Sequence, residues 1–86
     1  MHEMSIALEV CRITEEHVGA AQLASVVEVA VEVGDDAGIE IENLEFCLEA
    51  LLSAPPFGHA KPTIVRRRGD ILRVLHLEVE DGSPDN

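Results

Sequence analysis

Val26-Val27-Glu28-Val29-Ala30-Val31-Glu32-Val33-Gly34 alternates apolar and mostly polar side chains with a period of two, and an extended strand puts such residues on opposite faces. Val27, Val29, Val31 and Val33 are expected on one face; Val26, Glu28, Ala30 and Glu32 are expected on the other. Glutamates on one face mean that helices need to cover the other face only.

Outward from this strand the period changes. Upstream, Ser5 to about Gln22 places Ile6, Val10 and Ile13 beside Ala7, Cys11 and Val18 at spacings of three and four, the stripe of an amphipathic helix. Downstream, Gly34-Asp35-Asp36-Ala37-Gly38 has turn composition. Ile41, Leu44, Cys47, Leu48, Leu51 and Leu52 then define a second helix, stopped by Pro55-Pro56. Thr63-Ile64-Val65 and the run Ile71 to Glu80 read as two further strands. The short connection Arg66-Arg67-Arg68-Gly69-Asp70 predicts that they form a hairpin. On the last strand, alternation groups Ile71, Leu75, Leu77 and Val79 against Leu72, Val74, His76 and Glu78. The order α–β–α–β–β predicts an α/β (α+β) fold: a two-layer sandwich with two helices packed on one face of a small three-stranded mixed sheet. Residues 1–86 are expected to form one domain, with a frayed tail at 82–86.

At 47% apolar and 27% charged residues the chain is too hydrophobic for disorder. Seventeen acidic against six basic side chains give a formal charge of −11, which disfavours nucleic acid and acidic membranes and favours a cationic or divalent-metal partner. There is no apolar run of about 18 residues and no leader pattern, so the expected compartment is the cytoplasm. Cys11 and Cys47 lack a CxxC or a histidine at zinc-ligand spacing and are read as core residues. With two Phe and no Trp or Tyr, platforms for stacking bases are missing.

Catalytic templates fail in turn. Gly34 and Gly38 are flanked by aspartates that repel phosphate, and Cys11 and His17 cannot meet on one helix. No serine sits in a nucleophile elbow, and the carboxylates are too many for spacing to single out an acid and a base. The chain is therefore read as a non-enzyme. Arg66-Arg67-Arg68 is expected as a solvated hairpin tip or a docking patch for an acidic partner, and His59 and His76 as solvent-facing. Met1-His2-Glu3 carries more information. The α-amine, the His2 amide nitrogen and the His2 ring Nδ1 can close fused five- and six-membered chelate rings in one plane. In-plane nitrogen ligation suits Ni(II) or Cu(II) and matches tetrahedral Zn(II) poorly.

Met1-His2-Glu3-Met4-Ser5, Cys11-Arg12-Ile13-Thr14-Glu15-Glu16-His17, Val29-Ala30-Val31-Glu32-Val33-Gly34, Leu44-Glu45-Phe46-Cys47-Leu48-Glu49-Ala50-Leu51 and the closing Gly69 to Glu80 run together resemble the HypA (HybF) family of nickel metallochaperones in [NiFe]-hydrogenase maturation. The resemblance implies a nickel site with Met1 and His2 as ligands, Glu3 at or beside the metal, and Glu40 approaching it. It implies Ni(II) as cargo and, as partners, a maturation GTPase of the HypB type and a hydrogenase large-subunit precursor. Family members also carry two CxxC pairs that bind a structural zinc between the second and third strands; here Arg66-Arg67-Arg68-Gly69 stands in that place, so no structural zinc is expected. The alternative is a metal-free interaction or regulatory module on the same core. A homodimer, for instance by helix exchange, is compatible with so small a core.

Overall fold

The computed structural model describes residues 2–80; Met1 and the expected tail at 82–86 lie outside the described residues. The elements are α1 (Glu3–Val18), a 3₁₀ segment (Ala20–Ser25), β1 (Val26–Gly34), α2 (Ile41–Leu52), β2 (Lys61–Arg67) and β3 (Leu72–Val79). No helix among the described residues is long and apolar enough to cross a membrane. The sandwich predicted from the sequence is present. Both helices contribute to a core of Ile6, Ala7, Val10, Leu44 and Leu48 that packs against Val29, Val31 and Val33 of the sheet.

The expected hairpin is not. The strand order is β2-β1-β3, with β1 parallel to β2 and antiparallel to β3. The β2–β3 connection therefore arches over the end of β1, and the central strand is the valine-rich one whose both edges need partners. Three backbone bonds seat the arch: Gly34 N–H to the Ile71 carbonyl at 2.7 Å, Asp35 N–H to Arg67 at 2.8 Å and Asp36 N–H to Gly69 at 2.7 Å. A Cβ on Gly34 would lie 2.1 Å from the Gly69 carbonyl oxygen. Gly34→Ala is therefore expected to displace the arch and lower the melting temperature, whereas Ala37→Gly in the neighbouring turn should change it far less; equal effects in thermal melts would contradict the close approach.

Two bulges also correct the alternation. The β1–β3 register shifts between Val26 and Glu28 and between Ala30 and Val31. The first places Val26, 1% exposed, in the core with Val29 and Val31, not beside Glu28. The second puts Val74 and Leu77 against the core while His76 reaches Glu28 on the other face, so His76 and Val74 do not share a side. α1 also stops earlier than its stripe suggested, at Gly19, whose φ of 84° leaves the helical region.

Candidate functional site

The two helices begin side by side, and Glu3 joins them. Its carboxylate accepts the backbone N–H of Glu40 at 3.0 Å and the side-chain amide of Asn43 at 3.1 Å. Glu40 is the N-cap residue of α2 and makes no side-chain capping bond of its own. A helix start leaves unpaired N–H groups, and in a capping box the residue at the third helical position reaches back to the N-cap N–H. Asn43 holds that position here and instead donates to Glu3, so the acceptor for the N-cap comes from α1. The Glu40 amide, then the Asn43 amide, hold the Glu3 carboxyl below the usual carboxylate range.

His2 is the N-cap of α1. Its carbonyl accepts the Ile6 N–H at 3.2 Å, and its exposed imidazole makes no hydrogen bond among the described residues. Of the four residues expected at a metal, the structure thus brings Glu3 and Glu40 together next to His2. The Glu40 side chain is exposed, and Met1 lies outside the described residues. Among the described residues no three His, Cys, Asp or Glu side chains gather into a metal-holding group. A cavity of about 140 Å³ lies beside this end, between Ile6, the Ala37-Gly38-Ile39 segment, Asp70 and Leu72.

The cysteines fall within the helices, Cys47 buried and Cys11 half-buried with its thiol pushed up by burial. The histidines expected to face solvent do so: His59 is exposed, and His76 is exposed with its Nε2 3.5 Å from Glu28 Oε1.

On the opposite face of the sheet lies a cluster that the sequence reading missed. Glu32 of β1 is 4% exposed. It accepts from Arg67 Nε of β2 at 2.5 Å and from Arg73 Nε of β3 at 2.6 Å. Arg67 is therefore no hairpin tip; it closes over a buried carboxylate from one edge strand while Arg73 closes from the other. A glutamate in the middle of an apolar central strand was the available signal, since a carboxylate there needs cationic partners across the sheet. Arg67, then Arg73, hold the Glu32 carboxyl below its usual range, and Thr63 does the same for Glu28.

A carboxyl with a lowered folded-state pKa contributes stability above its unfolded value, and that contribution is lost as pH falls through the folded pKa. With Glu3, Glu28 and Glu32 all shifted downward, the melting temperature is expected to hold from neutral pH to about pH 5 and to fall below the ordinary carboxylate range of about 4.3. Glu32→Gln should lower the neutral-pH value and flatten the acid slope. An unchanged slope in that variant would show that the clamp does not set acid stability.

Residues 1–72 match the family described as "Hydrogenase/urease nickel incorporation, metallochaperone, hypA". The chain is 43% identical over 51 residues to the hydrogenase maturation factor HypA of Azotobacter chroococcum mcd 1, covering 59% of this chain and 45% of that protein. It is 33% identical over 61 residues to the HypA of Parabacteroides distasonis, covering 71% of this chain and 53% of that protein. The chain thus spans about half the length of the curated relatives it matches. Its fold is similar to the solution structure of the Ni metallochaperone HypA from Helicobacter pylori, with a TM-score of 0.76 at 16% identity, covering 93% of this chain and 98% of that one.

Proposed function

The chain belongs to the HypA family of hydrogenase/urease nickel-incorporation metallochaperones, and from that premise we propose that it carries Ni(II) at its N-terminus and hands it on during [NiFe]-hydrogenase maturation. The family is named for metal delivery, not for catalysis, and the chain is accordingly an accessory protein; the cytoplasm is its proposed compartment.

The observation that carries the proposal is the state of His2: an exposed imidazole with no hydrogen bond among the described residues, at the start of a helix whose next residue is fixed to α2. The Met1 amine, the His2 amide and the His2 ring supply three nitrogens in one plane around the metal, a set suited to Ni(II). Glu3 acts from beside the metal. Each of its oxygens already accepts a hydrogen bond, so it orients the N-terminus and holds Glu40 in reach, with Glu40's exposed carboxylate free to approach the ion. A site open to solvent exchanges ligands more readily than a closed cage, which suits transfer to a GTPase of the HypB type and then to a hydrogenase large-subunit precursor.

The residues present do not fit the family's structural zinc. Four thiolates are needed for a Cys₄ site, whereas this chain has two cysteines, held apart from the β2–β3 arch in α1 and α2. The β2–β3 arch closes instead by backbone hydrogen bonds to the end of β1, and the nickel carriage proposed here is one without a structural zinc.

Titration of Ni(II) into the chain, followed by d–d absorption, is expected to reach an end point at one equivalent. No absorption change at stoichiometric nickel would favour the other reading, a metal-free interaction module on the same core.

A further inference from the structure

Of the six large hydrophobic residues exposed among those described, Leu72, Leu75 and Val79 lie on β3, an edge strand. No described strand covers its outer side. The Ile71 carbonyl bonds to Gly34 and the Glu80 N–H bonds to Ser25, so backbone direction alternates from both ends. Leu72 and Val74, and from the other end Leu77 and Val79, therefore turn their N–H and C=O groups outward. Alongside the edge runs an apolar groove of about 150 Å³ beneath α1, lined by Ile6, Val10 and Ile13 on one side and by Leu72 and Val74 on the other.

The bulge at Leu75 makes the two halves of the strand equivalent about its centre. Leu72 and Val74 face the helix layer on one side of the bulge; Leu77 and Val79, paired with Val29 and Val26, do so on the other. Arg73 and Glu78 face the opposite layer, Arg73 bonded to Glu32 and Glu78 paired with Glu28. A second β3 laid antiparallel about an axis between Leu75 and His76 therefore sets Leu72 against Val79, Val74 against Leu77, and Arg73 against Glu78, each twice. Apolar meets apolar, outward backbone meets outward backbone, and opposite charges face each other.

We propose that β3 is a self-association edge through which two copies of this chain join their sheets into one six-stranded sheet. The interface is isologous, as a two-fold pair requires, and takes the form of strand addition to a free edge. Val79 and Leu77 of each copy cover the groove beneath α1 of the other. This association does not depend on nickel, and the test is made without it.

The test is sedimentation equilibrium over about 1 µM to 1 mM for the wild type, Glu78→Lys and Val79→Lys, with circular dichroism to confirm folding. Expected is a concentration-dependent dimer in the wild type, weakened by about tenfold or more in Glu78→Lys, where lysine faces Arg73 twice, and lost in Val79→Lys. If Val79→Lys fails to fold, Glu78→Lys still decides, together with amide exchange in the wild type. There the N–H groups of Leu72, Val74, Leu77 and Val79 should gain protection as concentration rises. A wild type that stays monomeric to the top of the range overturns the proposal. So does a dimer insensitive to Glu78→Lys, as one built by helix exchange would be.

Discussion

Leu48→Ala is expected to cost about 2–5 kcal/mol of folding stability, the range for deleting most of a buried leucine. Leu48 is fully buried on α2 within the single core. Its neighbours belong to helices and sheet held by the same contacts, so the site can collapse only by shifting whole elements. A chain of this length has about 4–13 kcal/mol in total, and at about 4–8 °C per kcal/mol the melting temperature should fall by about 8–40 °C. Phe46, two residues earlier and 68% exposed, is the control. Phe46→Ala should stay within about 0.5 kcal/mol. Equal losses in urea titrations of the two variants would mean that the helix faces have been assigned wrongly.

His2→Ala should behave in the opposite way. The side chain is exposed, outside the core and unbonded among the described residues, so the melting temperature should be unchanged. Nickel affinity should fall by more than the ~10–100-fold that losing even an outer-shell partner of a metal costs, because an imidazole ligand itself is removed. Glu3→Gln separates positioning from ligation. It keeps an oxygen for the Glu40 N–H but removes the charge, and it should weaken nickel binding less than His2→Ala while lowering the melting temperature through the loosened α2 start. Isothermal titration calorimetry with parallel thermal melts reads both quantities; a His2→Ala protein that binds nickel as the wild type does would move the metal elsewhere.

Much of the fold is written locally. The period-two valines set the central strand, and the Ile41 to Leu52 spacing sets α2, because each depends on one element's own buried face. Strand adjacency is different. The segment from Arg66 to Asp70 is short enough for a hairpin and also long enough to cross one strand, and only the demand of β1 for partners on both edges decides between them. The bulges beside Val27 and Leu75 are equally nonlocal: they arise from the pairing of two strands, so strict alternation misassigned Val26 and Val74.

The site divides along the same line. The Met1-His2 donor set is a reading of the sequence alone: its donors are adjacent along the backbone, and Met1 lies outside the described residues. The bonds of Glu3 to Glu40 and Asn43 join residues far apart in the chain, and they became visible only once the two helix starts were side by side. Glu32 lay between: its polarity on a buried strand was visible, while Arg67 and Arg73 came from the two edge strands that the hairpin reading had put next to each other.

The most direct test of nickel carriage at the N-terminus is a paired Ni(II) titration of the chain with its native Met1 and of the same chain with Gly-Ser added ahead of it. The extension leaves every described contact in place but moves the α-amine away from His2. One equivalent bound by the native form and none of comparable affinity by the extended form is the expected result; equal binding by both would contradict a site built on the Met1 amine and His2.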